Sequence, residues 1–168
     1  GAKNLKYIAV RGSGKVLVAD AEGLAKARED IFRLIAASPV LAGELGIKHF
    51  GTGAIYDLIH ARRMMPTGNF RQTVFDAAPT MNAYAYEQRY QPRKAGCQGC
   101  HILCKKDRAD GTRLPEFETM SHFSALLENQ DLATVVQAND LCTELGMDTI
   151  TTAATLACHA ELIGRRLQ

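Results

Sequence analysis

The chain has 168 residues, of which 46% are hydrophobic and 23% are charged. These proportions are typical of one globular domain and exclude an intrinsically disordered or membrane-spanning chain. The net charge of +2 is too small to indicate binding to nucleic acid or to a membrane surface. The first residues are polar, and the apolar stretch after them is shorter than a secretory signal, so we expect a cytoplasmic protein.

The N-terminal half predicts a short β element followed by helices. Two β-rich runs, at residues 7–10 and 16–18, predict a small hairpin or the tail of a sheet that begins elsewhere. Asp20 is a suitable cap for the first helix, because apolar residues follow it at helical spacing. Helices are predicted over residues 21–37, 39–46, 54–63 and 80–88, with a loop over residues 65–69.

The C-terminal part has the clearest helical pattern. Apolar residues keep helical spacing over residues 132–145, and Gly146 is suited to a left-handed cap at the end of that helix. Asp148 is a suitable cap for the next helix, and Gly164 is expected to follow the end of that helix. The sequence therefore predicts a mainly α fold, a helical domain with a short β element at the N-terminus.

Three cysteines within eight residues are the strongest chemical signal. Cys97, Cys100 and Cys104 form a C-x2-C-x3-C array, a spacing that favours a metal over a disulfide framework. Thiolates are soft ligands for iron–sulfur clusters or zinc, and such an array can bind a 4Fe–4S cluster whose fourth ligand comes from elsewhere. Cys142 and Cys158 each lie alone in an apolar helix, which favours a buried position for both thiols.

Other interpretations of the array stay open. Residues 97–101 also have the C-x-x-C-H spacing of c-type haem attachment, which leaves Cys104 without a role and offers no obvious second axial ligand. A structural zinc could use the cysteines or His101 and one further ligand, although the usual second pair at finger spacing is missing. The cysteines could also be ordinary thiols, although three in so short a stretch would be unusual.

Basic residues surround the array in sequence: Arg89, Arg93, Lys94, Lys105, Lys106 and Arg108. Such a group is typical of a solvated loop. Alternatively, it provides an electropositive surround for an anionic cluster or for an acidic redox partner.

Two segments that follow the array carry acidic residues. Glu116 and Glu118 come after Pro115, where they either occupy the first turn of a helix or include a carboxylate that accepts a proton in a reaction. The turn from Gly146 to Asp148 either only joins two helices or presents N–H groups and a carboxylate to a polar ligand.

The order of these motifs resembles the aldehyde ferredoxin oxidoreductases, a family of tungsten or molybdenum enzymes with a pterin cofactor. The resemblance covers essentially the whole chain, and it rests on residues 1–12, residues 66–70, the three cysteines of the array, residues 115–119 and residues 141–152. Residues 1–12 resemble the strand that closes the pterin-binding first domain of the family.

The resemblance implies that aldehydes are oxidised to carboxylic acids at a tungsten or molybdenum ion held by two pterin dithiolenes. Electrons would then pass through a 4Fe–4S cluster to ferredoxin. The array would supply three cluster ligands, Glu118 would be the active-site glutamate, and Met147 and Asp148 would contact the pterin. Thr143 stands where the pterin motif of the family usually has an aspartate, so one pterin hydrogen bond would differ.

The resemblance also implies the domain organisation and the partners. Residues 1–19 would be the tail of the N-terminal pterin-binding domain, and residues 20–168 a helical domain that is incomplete at its C-terminus. The fourth cluster ligand and much of the pterin pocket lie in other parts of family members, so we expect this chain alone to be inactive. The expected partners are the remaining domains or subunits, an aldehyde substrate, and ferredoxin or a similar redox protein, with no nucleic acid and no membrane.

Overall fold

The structure is a computed structural model that describes residues 4–5 and 7–166. Its helices are α1 Ala21–Ala37, α2 Pro39–Ala42, α3 Ile47–Phe50, α4 Ile55–Ala61, α5 Thr67–Phe70, α6 Ala78–Met81, α7 Ala83–Tyr90, α8 Phe117–Phe123, α9 Leu132–Leu145 and α10 Thr149–Arg166. There are also two 3-10 turns, Gly51–Ala54 and Ala125–Leu127, and two strands, β1 Arg93–Ala95 and β2 Lys105–Asp107. The predicted mainly α fold is confirmed.

The β element lies elsewhere than predicted. Residues 7–10 and 16–18 form no strand, and Tyr7 and Leu17 are 83% and 95% exposed. A strand needs a hydrogen-bonding partner, and no described residue pairs with these runs. Instead β1 and β2 pair antiparallel and enclose residues 96–104 as a loop. The predicted hairpin over these described residues is therefore wrong. The alternative, that they form the tail of a sheet begun in another domain, stays a prediction, as does the assignment of residues 1–19 to that domain, of which residues 1–3 and 6 lie outside the described part.

Helix α1 begins and ends where the sequence predicts. The Asp20 carboxylate accepts a hydrogen bond from the Gly23 N–H at 2.8 Å, which satisfies one of the unpaired donors of the first turn. Ser38 follows the last residue of α1 and caps α2 by accepting from the Leu41 N–H. No side chain of α1 is fully buried: Ile35 is half-buried and the Phe32 ring contacts His101, while Ile31 and Leu34 are more than half exposed.

The segment between residues 39 and 90 is divided more finely than predicted. Helix α2 ends already at Ala42, and Gly46 caps α3 instead of ending α2. The helix predicted over residues 80–88 is two helices that meet at Asn82, because the Asn82 side chain accepts from the Ala85 N–H at 3.0 Å and starts α7. The predicted loop over residues 65–69 overlaps the single turn α5, in which Gly68, Asn69 and Phe70 are left-handed.

Buried side chains from residue 56 onward form one apolar cluster, which includes Tyr56, Phe75, Met81, Met120, Phe123, Leu126, Val135 and Ala153. Ser124 Oγ donates to the Met120 carbonyl, so the Tyr56 hydroxyl is the donor in its 2.7 Å hydrogen bond to Ser124. Burial raises the pKa of Tyr56 to about 12. Cys142 is buried as predicted, but Cys158 is exposed, so its predicted core position is wrong.

Helices α9 and α10 are joined by a short turn over residues 146–148 and contact each other. Gly146 ends α9 with a φ of 67°, and the Met147 N–H donates to the Cys142 carbonyl at 2.8 Å, as in a Schellman cap. Asp148 caps α10 by accepting from the Thr151 N–H at 2.7 Å. Helix α10 runs through Gly164 to Arg166, so the predicted end at Gly164 is wrong. Within the described residues, no helix is both long and apolar enough to cross a membrane.

Leu126→Ala tests the assignment of the core. Leu126 is 1% exposed, so truncation leaves a cavity, and we expect the free energy of unfolding to fall by about 2–5 kcal/mol. Leu141→Ala makes the same chemical change at a side chain that is 56% exposed, and it should cost less than about 0.5 kcal/mol. Urea unfolding followed by circular dichroism measures both, and equal losses would contradict the assigned core.

The cap on α10 predicts a pH dependence. Two hydrogen bonds hold the pKa of Asp148 below its usual value, with the larger effect from the Thr151 side chain and the smaller one from the Thr151 backbone N–H. The charged carboxylate therefore stabilises the fold above its usual pKa, and this stabilisation is lost as the pH falls through the lowered pKa of the folded state. We expect the urea midpoint of the wild type to be higher than that of Asp148→Ala. The difference should be largest above about pH 5, where the carboxylate is charged in both the folded and the unfolded state.

Urea midpoints measured between pH 2 and pH 7 check this expectation. Glu144→Ala is the control, because it removes an exposed carboxylate that caps no helix. A gap between wild type and Asp148→Ala that stays constant as the pH falls would rule out a stabilising role for the charge.

Candidate functional site

The three cysteines of the array lie on one closed loop, residues 96–104, which we call the cysteine loop. Its two ends are held together because Ala95 pairs with Lys105 across the small sheet. Cys97 is exposed, and Cys100 and Cys104 are half-buried. The loop folds back tightly, since a Cβ on Gly96 would lie only 2.9 Å from the Leu103 Cα.

The donor chemistry of the cysteine loop suits a thiophilic metal. Backbone N–H groups of Leu103 and then Ile102 lower the pKa of Cys100, and this favours the thiolate that metals bind. Among the described residues, no group of three or more His, Cys, Asp or Glu side chains is arranged to hold a metal ion. The loop therefore offers three suitable donors close together in the chain, without a preformed coordination geometry.

The end of the cysteine loop packs against the 3-10 turn Gly51–Ala54. Gly51 has a φ of +68°, and a Cβ at this position would lie 2.8 Å from the Cys104 carbonyl oxygen, so only glycine fits without displacement. In the same turn, Thr52 Oγ1 accepts a hydrogen bond from the Phe117 N–H at 3.0 Å. Lys105 adds an ion pair to Glu116, the residue that precedes α8. The cysteine loop and the start of α8 are thus fixed to each other.

Glu118 lies in the first turn of α8 and is exposed. Its backbone carbonyl accepts hydrogen bonds from His122 Nδ1 at 2.7 Å and from Ser121 Oγ at 3.1 Å. The neighbouring Thr119, Met120 and Ser121 are buried, so α8 is anchored on one side while Glu118 faces away from the core. The carboxylate is accessible to a substrate or a proton.

The turn between α9 and α10 lies against α8. Thr119 Oγ1 and Thr149 Oγ1 are hydrogen-bonded at 2.8 Å. Hydrogen bonds from Thr151 are the main cause of the lowered pKa of Asp148, and the charge of His122 lowers this pKa further. The carboxylate on the turn therefore interacts electrostatically with a side chain of α8. Met147 and Asp148 are both exposed, so their side chains are available to a ligand.

Thr143 lies in the last turn of α9. Its hydroxyl donates to the Asn139 carbonyl at 2.9 Å, which uses the only proton of the side chain. A ligand could therefore donate to the Thr143 hydroxyl but could not readily accept from it. The roles of Thr143, Met147 and Asp148 as cofactor contacts stay predictions.

The basic residues around the array do not form one solvated patch. Arg108 pairs with Asp140 at 2.6 Å, and Lys105 pairs with Glu116. Lys106 is instead buried, and burial lowers its pKa, although the charges of Glu87 and Cys104 act in the opposite direction. Much of the positive charge near the array is therefore compensated or enclosed.

One residue of this region, His122, was not recognised as part of the site from the sequence, and the burial of a second, Lys106, was not predicted. His122 follows Glu118 by four residues, a spacing that places both on one face of a helix and that could have indicated the pair. The sequence around Lys106 did not indicate its burial, because that burial depends on helices that are distant in sequence.

The chain is similar to one known protein family over most of its length. Residues 26–167 match the family described as aldehyde ferredoxin oxidoreductase, domains 2 and 3. Tungsten-containing aldehyde ferredoxin oxidoreductases of Thermococcus kodakarensis and Pyrococcus furiosus are each 34% identical over 166 residues, covering 96% of this chain and 27% of the relative. The relative from Pyrococcus abyssi is 34% identical over 171 residues, covering 99% of this chain and 28% of its own length.

The chain thus spans only about a quarter of the length of these relatives. The family match nevertheless includes the cysteine loop, α8 and the turn between α9 and α10. Because the match extends over most of the sequence, the chain belongs to the aldehyde ferredoxin oxidoreductase family.

Proposed function

We propose that this chain is a segment of a larger enzyme that oxidises aldehydes to carboxylic acids. The enzyme would use a tungsten or molybdenum ion held by pterin, and its electrons would leave through a 4Fe–4S cluster to ferredoxin or a similar redox protein. The observation that carries the proposal is the family match over residues 26–167, which contains the cysteine loop, Glu118 and the turn at Asp148. The names of the relatives support the tungsten and the aldehyde chemistry.

Cys97, Cys100 and Cys104 would hold the cluster, with a fourth ligand from polypeptide outside this chain. Their placement on a loop with tied ends supports this role, as does the lowered pKa of Cys100. Metal sites are rarely preformed before the metal binds. We therefore expect cluster binding to draw the three thiolates together and to order the loop.

Met147, Asp148 and Thr143 would contribute to the pterin pocket. When bound, the pterin-held metal supplies the two-electron chemistry that amino-acid side chains cannot perform. This chain would orient the cofactor with the exposed polar groups at the end of α9 and the start of α10. The hydrogen bond between Thr119 and Thr149 would keep that surface at a fixed position relative to α8.

Glu118 would handle a proton. Conversion of an aldehyde and water to a carboxylic acid releases two protons and two electrons, so a proton acceptor near the substrate is needed. Glu118 is exposed, and the turn that carries it is fixed by the hydrogen bond from Phe117 to Thr52 and by the packing of α8. A carboxylate held in this way can accept one of the protons as a general base.

The remaining domains of the enzyme would cover apolar residues that are exposed here. Ile8, Val10, Val16 and Leu17 are each more than 70% exposed, and Leu34 on α1 is 72% exposed. Exposed apolar surface of this extent is typical of an interface. Its position between residues 7 and 34 supports contact with the N-terminal domain, to which residues 1–19 are assigned in this proposal.

Cys100→Ser tests the cluster assignment in the complete enzyme that contains this segment. After anaerobic reconstitution we expect brown absorbance and roughly four irons per chain in the wild type, and loss of both in the variant, because the cube loses a ligand. Cys158→Ser removes an exposed thiol outside the array and should leave iron and colour unchanged.

The metal content decides among the possible cysteine sites. Undiminished iron and sulfide in Cys100→Ser would show that the ligand set is wrong. Stoichiometric zinc without sulfide would favour a structural zinc site, and a covalently retained haem would favour a cytochrome.

Glu118→Gln tests the proton-transfer role in the same complete enzyme. The amide keeps the size of the side chain but cannot accept the proton, so we expect turnover to fall by about 10²- to 10⁴-fold with little change in melting temperature. Glu144→Gln is the matched control on an exposed turn of α9 and should keep full turnover. A parallel loss of turnover and thermal stability would instead assign Glu118 a structural role.

A further inference from the structure

Lys106 stands out because it is the only charged side chain in the buried class among the described residues, at 8% exposed. Both of its neighbours on β2 have ion-pair partners: Lys105 pairs with Glu116, and Asp107 pairs with Arg113. Within the described part of the chain, Lys106 has no carboxylate within ion-pair distance. The structure therefore encloses a cation and leaves it without a direct counter-charge.

The position of Lys106 follows from the alternation of β2. Lys105 and Asp107 point to one side of the strand, and Lys106 points to the other, toward Phe50, Tyr86 and Met120. The residue opposite Lys106 on β1 is another cation, Lys94. The local surroundings thus provide apolar contacts and the like charge of Lys94. Among the described residues, the one carboxylate that lines the same pocket, Glu87, acts on Lys106 through its charge but forms no ion pair with it.

The stem of Lys106 lies beside the end of the cysteine loop. The point where a Cβ on Gly51 would lie is 3.3 Å from the Lys106 Cγ and 2.8 Å from the Cys104 carbonyl oxygen. Glycine at position 51 allows both the loop end and the lysine to pack at this place. The stem of the lysine thus passes beside the end of the cysteine loop, and the charge of Cys104 acts on the Lys106 ammonium group.

Enclosing a cation without a partner is unfavourable, because the ammonium group loses water without gaining an ion pair. A methionine of similar length would fill the same apolar space without this penalty. A compensating interaction is therefore expected, and an anion bound by the adjacent thiolates would provide it.

We propose that Lys106 sets the reduction potential of the cluster held by the cysteine loop, by placing a fixed positive charge beside Cys104. This inference rests on the proposed function, because it requires the cluster. Reduction adds one negative charge to the cluster, and a nearby cation stabilises the more negative state in a low-dielectric surrounding. Lys106 therefore raises the potential and acts as a positioning residue for charge, with no contact to substrate.

The test is a redox titration of the complete, reconstituted enzyme, followed by electron paramagnetic resonance of the reduced cluster. Lys106→Met should lower the midpoint potential of the cluster. At the potential where the wild-type cluster is half reduced, the ratio of oxidised to reduced cluster in the variant should rise at least tenfold, which corresponds to a shift of 59 mV for one electron. Lys106→Arg keeps the charge and should retain the wild-type midpoint. Lys105→Met removes the neighbouring, partly exposed lysine, whose charge Glu116 already compensates, and should shift the ratio much less.

A measurement of stability separates this role from packing. Lys106→Met should keep or raise the urea midpoint of the cluster-free protein, since it removes a buried cation. A lowered potential together with unimpaired stability therefore supports the proposal, because a lysine that only fills space would not change the potential.

The outcomes distinguish the two proposals. A wild-type enzyme without iron and sulfide would overturn the proposed function. If all variants bind the cluster, two results would overturn the role of Lys106 alone. One is a wild-type midpoint potential in Lys106→Met, and the other is a potential shift in Lys105→Met as large as that in Lys106→Met. If Lys106→Met binds no cluster, the potential is measured in Lys106→Gln instead. If neither neutral variant binds a cluster, the proposal that Lys106 sets the potential is overturned, and the residue is assigned a role in cluster assembly.

Discussion

The close approach of the Gly51 backbone to the Cys104 carbonyl sets the place of the cysteine loop in the fold. A side chain at position 51 would collide with that oxygen, and the φ of +68° is one that glycine adopts without strain. The same 3-10 turn carries Thr52, which accepts from the Phe117 N–H at the start of α8. One turn of backbone therefore fixes both the loop proposed to bind a cluster and the helix proposed to move a proton.

Helix α8 extends this anchor to the turn between α9 and α10. Met120 and Phe123 hold its inner side in the core, and Thr119 is bonded to Thr149. Glu118 is exposed on the opposite side, so its backbone is constrained while its carboxylate stays accessible. A reactive group supported by a rigid element keeps its geometry more exactly than one on a free loop, which suits a general base. The three candidate regions thus form one connected unit.

The sequence predicted those features that depend on neighbours in the chain. The caps at Asp20, Gly146 and Asp148 were predictable, because each involves contacts over a few residues. The exposure of Cys158 and the burial of Lys106 were not, because they depend on which faces meet across the fold. The same limit applies to the site. The spacing in the sequence indicated the three thiols, but their arrangement in space depends on tertiary contacts, as does the contact of α8 with the turn between α9 and α10.

Some locally unfavourable conformations fall on segments that the family resemblance marks, although Arg63, Gln91 and Glu128 are left-handed elsewhere. Among the described non-glycine residues with positive φ, the two large apolar ones are Phe70 and Leu103, which lie in the residue 66–70 segment and in the cysteine loop. Left-handed conformations of such residues cost on the order of 1–3 kcal/mol and persist only where surrounding contacts impose them. Lys106, an enclosed cation, follows directly after the cysteine loop. Within the described residues, the well-capped helices α1, α9 and α10 contain no left-handed residue. At the cysteine loop, the unfavourable conformation of Leu103 and the burial of Lys106 therefore coincide with the proposed binding chemistry.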